Sequence, residues 1–222
     1  MFTGLIEDIG TVSGLSGSDP VRITIKTNID VMESKIGDSV AIDGCCLTIV
    51  ERAQDKMTFQ AASESIRLTT LKQLNIGSKV HLERAMKLSD RLDGHIVTGH
   101  IDGRGVVTVK QQSAGTLILG IKVSDDFGKY IVHKGSISLA GVSLTVNKVE
   151  KDVVYVGLIP HTLKQTVLEQ YQIGASINVE ADILGRYVYK LLDRASGSHS
   201  DSSKSGTSTR LNEAFLSENG FL

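Results

Sequence analysis

The chain has 222 residues, 41% of them apolar, and a formal net charge of −1. That length holds one large domain or two small ones, and a near-neutral chain with no basic stripe interleaved with aromatics argues against nucleic acid as a partner. No stretch approaches the ~18 apolar residues of a membrane span, and Met1-Phe2-Thr3-Gly4-Leu5 has neither the basic nor the apolar region of a secretory signal. The two cysteines, Cys45 and Cys46, are adjacent, which disfavours a structural disulfide and predicts a reducing, cytoplasmic setting.

From the N-terminus, Thr3, Gly4, Ile6, Gly10 and Val12 recur as Thr98, Gly99, Ile101, Gly105 and Val107, at a constant offset of 95. Val21-Arg22-Ile23-Thr24-Ile25 alternates apolar and polar residues with the period of a strand, and Ser39-Val40-Ala41-Ile42 is read likewise. Gly44-Cys45-Cys46-Leu47-Thr48 faces Gly141-Val142-Ser143-Leu144-Thr145 at an offset of 97. Residues two apart on a strand share a face, so Cys46 and Thr48 point together, as do Ser143 and Thr145. Gly44 and Gly141 allow close approach of a backbone or ligand. These paired small polar groups are candidate walls of two ligand sites.

A short helix is predicted near 69–74 and a strand at Lys79-Val80-His81-Leu82-Glu83. Over this stretch Thr69, Leu71, Gln73, Ile76, Gly77 and Glu83 meet Thr166, Leu168, Gln170, Ile173, Gly174 and Glu180, again at an offset of 97. Register held over so many scattered positions marks an internal duplication, with copies near 1–86 and 96–184 and a polar linker over 87–94 that ends in Gly94. Asp93-Gly94-His95-Ile96-Val97-Thr98-Gly99-His100-Ile101-Asp102 sets two histidines among glycines, where packing rarely demands them. Histidine is the usual acid–base group near neutral pH.

In the second copy, Val153-Val154-Tyr155-Val156 and Ser176-Ile177-Asn178-Val179-Glu180 read as strands, with a short helix near 162–171. Short strands separated by Gly, Asp and Asn predict a small antiparallel barrel or sandwich for each copy. Leu184, Tyr187, Val188, Leu191 and Leu192 then fall on one helical stripe. That stripe needs a partner, either its own barrel or another copy of the chain. A Ser-rich flexible linker is expected over 196–209, followed by the apolar tip Ala214-Phe215-Leu216 and Phe221-Leu222. The domains are accordingly 1–94, 95–184, a helix over 185–195 and a tail over 196–222.

There is no dinucleotide or phosphate-loop motif, and the six histidines do not cluster with Cys or carboxylates at metal-ligand spacing;. Neither cofactor nor metal is expected. The copies differ where chemistry would show: His100 replaces Leu5, Ser143 replaces Cys46, Lys134 precedes Gly135 where Ile36 precedes Gly37, and His161 aligns with Glu64. Two sites alike in shape and unlike in chemistry suit an enzyme that binds two copies of one molecule and treats them unequally.

Met1-Phe2-Thr3-Gly4, the Gly-Cys-Cys-Leu-Thr segment at 44–48, Asp93-Gly94-His95, Thr98-Gly99-His100 and Val142-Ser143-Leu144-Thr145, in that order on a duplicated frame, resemble the riboflavin synthases over residues 1–195. The resemblance implies an all-β fold of two tandem six-stranded antiparallel barrels plus a C-terminal amphipathic helix. It implies a homotrimer in which each active site lies between the first barrel of one chain and the second barrel of another. The implied reaction is the cofactor-free dismutation of two molecules of 6,7-dimethyl-8-ribityllumazine. One gives a four-carbon unit to the other, and the products are riboflavin and 5-amino-6-ribitylaminouracil.

By the same resemblance, Gly4, Leu5, Ile6, Cys46, Leu47 and Thr48, with Gln60, Ala61, Ala62, Ser63, Glu64 and Ser65, form the lumazine-binding walls of the first barrel. Gly99, His100, Ile101, Lys134, Ser143, Leu144 and Thr145, with Gly157, Leu158, Ile159, Pro160, His161 and Thr162, form those of the second. Phe2, Cys46, His95, His100, Ser143 and Asp182 correspond to positions tied to activity. Some members associate with lumazine synthase shells, for which the apolar tip of the tail is the candidate docking peptide. The rival reading is a non-catalytic lumazine or flavin carrier on the same fold. A carrier would hold ligand in one barrel, whereas the enzyme should use both.

Overall fold

The computed structural model describes residues 1–113 and 115–195. The linker, the apolar tip and the docking role expected of the tail fall at 196–222, outside the described residues. Met1–Tyr189 form one compact unit, and a second begins at Lys190.

Alternating stretches become strands because every second side chain can enter a core while its neighbours face outward. The first copy supplies β1 (Asp8–Ser16), β2 (Val21–Lys26), β3 (Ser39–Ile42), β4 (Cys45–Ala53), β5 (Lys56–Ala61) and β6 (Lys79–Arg84). They close into a barrel in the order β1-β2-β5-β4-β3-β6. The second copy supplies β7 (Gly103–Ser113), β8 (Thr116–Lys122), β9 (Ser136–Leu139), β10 (Val142–Glu150), β11 (Val153–Leu158) and β12 (Ser176–Ala181). Its ring, β7-β8-β11-β10-β9-β12, repeats the first strand for strand. Closure leaves no sheet edge open to another chain. The repeat extends to irregularities: the register shifts at Ile49/Glu51 in the first barrel and at Val146/Lys148 in the second.

Each barrel has its own core. Ile23, Ile25, Ile42, Ile49, Met57, Phe59 and Leu82 fill the first, and Leu119, Ile121, Ile137, Leu139, Val156 and Val179 fill the second. Both are essentially free of solvent.

The predicted helices sit earlier than expected. In place of one helix near 69–74, α1 spans Ser63–Leu68 and a single 3-10 turn follows at Thr70–Gln73. Thr69 breaks the run, because its hydroxyl donates to the Ser65 carbonyl and accepts from the Leu71 N–H. In the second copy α2 (Asp125–Gly128), capped by Ser124, was not legible in the pattern. There α3 runs over Pro160–Gln165 and a 3-10 turn over Leu168–Gln170. Pro160 starts α3, consistent with its fixed φ and missing N–H.

The last helix, α4, spans Ile183–Ala195, and the Asp182 carboxylate accepts from the Leu184 N–H at its start. Within the first unit this helix meets the barrel through Gly185, Arg186 and Tyr189. Arg186 pairs with Asp102, and the Tyr189 ring meets Tyr130 edge-on at 5.3 Å. A Cβ on Gly185 would lie 2.6 Å from the Tyr130 carbonyl. The predicted apolar stripe is therefore not what docks: Leu184, Tyr187 and Val188 are 59%, 64% and 55% exposed.

The two barrels meet reciprocally at Gly44 and Gly141. Both have positive φ (81° and 85°), and a Cβ on either would fall 2.7 Å from the other's backbone nitrogen. Only glycine meets both conditions. Beside this contact the barrels are stitched by two buried side chains at corresponding positions. Asn178 donates to the Asp43 carbonyl (2.8 Å) and accepts from the Thr70 N–H (2.7 Å). His81 does the same in reverse, meeting the Ala140 carbonyl at 2.8 Å through Nδ1 and accepting from the Val167 N–H at 2.8 Å through Nε2. Because Nε2 accepts, the proton sits on Nδ1 and the ring is neutral.

Burial lowers the His81 pKa from 6.5 to about 4. The unfolded chain therefore takes up this proton first, and the stability that rests on neutral His81 is complete above pH 6.5 and lost as pH falls toward 4. Asp43, whose carboxylate lies 3.5 Å from His81 Nδ1, runs the other way. Burial raises it from 3.8 to about 7, so its contribution is present below 3.8 and lost as pH rises through 7. His81→Ala should cost about 2–4 kcal/mol in urea unfolding at pH 8, because a buried carbonyl and a buried N–H lose their partners. His81→Asn, which copies the Asn178 arrangement, should stay within about 1 kcal/mol of wild type there and lose less stability between pH 6.5 and pH 4.

Candidate active site

Strand alternation settles which wall residues face outward. In β4, Cys45, Leu47 and Ile49 are buried in the barrel, while Cys46 is half-buried and Thr48 exposed on the outer face. In β10, Val142, Leu144 and Val146 point inward, and Ser143 and Thr145 outward. Among the predicted wall residues, Leu47, Ala61, Leu144 and Leu158 are thus core side chains and offer a ligand only their backbone. Gln60 lies directly across the ladder from Thr48. Ala62, Ser63, Glu64 and Ser65 follow at the start of α1, beside the same wall. In the second barrel Gly157 and Leu158 end β11, and Ile159, Pro160, His161 and Thr162 lead into α3. Lys134 sits at the far end of this wall, its N–H bonded to the Val146 carbonyl at 2.8 Å, with its side chain exposed.

The segments before each barrel cross over, which corrects the expected grouping. Gly4-Leu5-Ile6 does not adjoin Cys46. The Gly4 carbonyl accepts from the Ser143 N–H (2.8 Å), and Ile6 packs on the second barrel's core. The Gly99 carbonyl accepts from the Cys46 N–H (2.9 Å), and Ile101 packs on the first barrel's core. These two straps approach so closely that a Cβ on Gly4 would lie 2.6 Å from Ser143 Cβ, and one on Gly99 2.5 Å from Cys46 Cβ. They pair with each other through Phe2 and Val97.

Each outer wall is thus completed by the strap of the other copy. The wall with Cys46, Thr48 and Gln60 receives His100, and the wall with Ser143 and Thr145 receives Leu5. His100 and Ser143 therefore belong to different walls of one chain. Phe2 lies behind the first wall, in a small buried cluster against which Cys46 packs. It is fully buried with Ala41 and Val97 beneath Gly99, 2.9 Å from where a Gly99 Cβ would be, so it shapes the strap from below.

At the second wall His95 Nδ1 lies 2.7 Å from Ser143 Oγ. His95 is 7% exposed, and its Nε2 has no hydrogen-bond partner among the described residues. A buried polar nitrogen left without a partner costs free energy. Burial holds the imidazole below its ordinary pKa, and the Asp182 carboxylate pulls it back up. A hydroxyl on a neutral imidazole is an activatable oxygen with an adjacent base. The first wall has Cys46 at this position. Its neighbour Cys45 is pushed up to about 12 by burial, so Cys46 is the available thiol of the pair.

Glu83 and Glu180 carried no chemical signal in the sequence beyond their match in the repeat. Glu83 accepts from Thr3 N–H (2.6 Å), Thr3 Oγ1 (2.7 Å) and Gly4 N–H (3.0 Å). Glu180 accepts from Thr98 N–H (2.7 Å), Thr98 Oγ1 (2.7 Å) and Gly99 N–H (3.0 Å).

Two closed barrels, each with a polar outer wall met by the other copy's strap, define a duplicated two-barrel protein. A family profile described as the lumazine binding domain matches residues 3–85 and again 98–182. The riboflavin synthase of Bacillus subtilis is 36% identical over 222 residues, all of both chains. That of Mycobacterium bovis is 36% identical over 200 residues, 88% of this chain and 100% of its own. Crystal structures of LumP complexed with 6,7-dimethyl-8-(1'-D-ribityl) lumazine and with riboflavin superimpose with TM-scores of 0.73 and 0.75, at 26% and 27% identity. Each covers 82% of this chain and 99% of the LumP chain. The chain belongs to the lumazine-binding domain family and, within it, to the riboflavin synthases, which are transferase enzymes.

Replacing Asp182 by Asn should lower the His95 pKa further, since the carboxylate is what opposes desolvation. An NMR titration of the His95 imidazole C2–H would read the shift, and an unchanged or raised value would remove Asp182 from the site's electrostatics.

Proposed function

We propose that this chain catalyses the dismutation of two molecules of 6,7-dimethyl-8-ribityllumazine to riboflavin and 5-amino-6-ribitylaminouracil, without a cofactor. The observation that carries this reading is the pairing of two matched walls with unmatched chemistry: Cys46 with His100 on one, and Ser143 with His95 on the other. The reaction needs one molecule to lose a proton from its 7-methyl group and the other to accept a nucleophile at C7. Those are unequal tasks for equal substrates. The His95–Ser143 pair can hold or deliver a proton at Ser143 Oγ. General acid–base help of this type contributes about 10²–10⁴ in rate. Holding the two ring systems against each other contributes up to about 7–11 kcal/mol of the barrier.

We place the first wall of one protomer against the second wall of its neighbour in a homotrimer. The uncovered stripe on α4 supports this, since Leu184, Tyr187 and Val188 find no cover on their own barrel. A surface of that kind marks an interaction site. The free thiols Cys45 and Cys46 support a cytoplasmic location.

The second reading, a lumazine carrier, is favoured by the LumP structures, which are complexes with a ribityl lumazine and with flavins. Purified protein given only the lumazine should produce riboflavin at half the rate of substrate loss. Ser143→Ala or His95→Ala should lower kcat by about 10²–10⁴. Tight binding of ligand in one barrel per chain, without turnover, would move the protein to the carrier reading. Val188→Asp should shift the sedimenting species from trimer to monomer and reduce turnover. A wild-type protein that sediments as a monomer would refute the trimer.

A further inference from the structure

The clips formed by Glu83 and Glu180 hold the straps, and the straps cross. Glu83 stands on β6 of the first barrel, yet the strap it holds, Thr3 to Ile6, closes on Ser143 of the second. Glu180 stands on β12 of the second barrel, yet its strap, Thr98 to Ile101, closes on Cys46 of the first. Accepting the two walls as lumazine sites, we propose that Glu83 and Glu180 are positioning residues that act across the barrel interface, each fixing the strap that completes the other barrel's site.

Three features carry this. Each carboxylate gathers three donors from two successive strap residues, which fixes the strap's height and direction at once. The threonine hydroxyl that donates to the glutamate also accepts from the backbone N–H two residues on, Leu5 in one strap and His100 in the other, both at 3.2 Å. The clip therefore orients the very residue presented to the wall. Finally, the two clips agree in every partner, while the residues they present, Leu5 and His100, are exposed and differ. A device that stays the same while its cargo changes is a presentation device. A carboxylate suits it because all three partners donate. Glutamine keeps one acceptor oxygen but turns an amide N–H toward a strap N–H.

Cys46 is a built-in reporter, being the accessible thiol and lying under the Glu180 strap. In the full-length, ligand-free protein, Glu180→Ala should speed iodoacetamide alkylation of Cys46 about tenfold, and the milder Thr98→Val about threefold. Glu83→Ala and Thr3→Val should leave that rate within about twofold of wild type and should instead shift the His95 C2–H resonance. Should Glu180→Ala fail to fold, Thr98→Val carries the test. Equal acceleration by variants of both glutamates, or no acceleration by the Glu180 and Thr98 variants, overturns the crossed assignment. With lumazine present, protection of Cys46 should weaken in the Glu180 and Thr98 variants alone. If lumazine fails to protect Cys46 in the wild-type protein while the ligand-free pattern stays crossed, the lumazine reading of that wall is overturned and the crossed anchoring stands.

Discussion

The contact of Gly44 with Gly141 constrains everything around it. Two chain reversals with positive φ are pressed together so closely that no side chain fits at either position. That contact brings β4 of one barrel beside β10 of the other, and these are the strands that carry Cys46 and Ser143. It also brings each leading strap within hydrogen-bond reach of the opposite barrel. A larger residue at either glycine would separate the barrels, and the straps would lose the strands they cap.

The interface then pairs its neutral polar groups, beside an Asp43 carboxyl that burial raises to about 7. His81 and Asn178 are chemically different, yet each offers one donor and one acceptor in the same geometry, and each satisfies a carbonyl and an N–H of the opposite barrel. Buried polar groups are tolerable when they are paired, and here the pairing also fixes how the barrels sit on each other. The glutamates complete the arrangement at the strap end. Burial raises both carboxyls above their ordinary pKa, and three donors to each work against that cost. The interface thus has close glycine backbone contact at the axis, neutral amide-like stitches beside it and carboxyl clips beneath the straps.

Chemical asymmetry is laid over this symmetric frame at few positions. Cys46 and Ser143 occupy the same place on corresponding strands. Leu5 and His100 occupy the same place on corresponding straps. His95 joins only the Ser143 wall. The frame positions two identical molecules in related ways, and these substitutions let it treat them differently. Inward-facing pairs such as Phe59/Val156 and Leu82/Val179 also differ but stay apolar and buried, because they must keep filling a closed barrel.

The sequence by itself determined the duplication, the strand content and which residues of β4 and β10 share a face, because period-two alternation and repeat register are local properties of the chain. It also placed Cys46, Ser143, His95 and His100 among the candidates, since small polar and imidazole groups beside glycines are unusual in packed strands. What the tertiary structure alone decided is which of them meet. The crossing of the straps assigns Gly4-Leu5-Ile6 to the second barrel and Gly99-His100-Ile101 to the first. It also sets His95 against Ser143, buries Phe2 and makes Glu83 and Glu180 into clips. These depend on contacts between residues some 40 to 140 positions apart. No local pattern encodes such contacts, because they arise only when two closed barrels pack about a glycine axis.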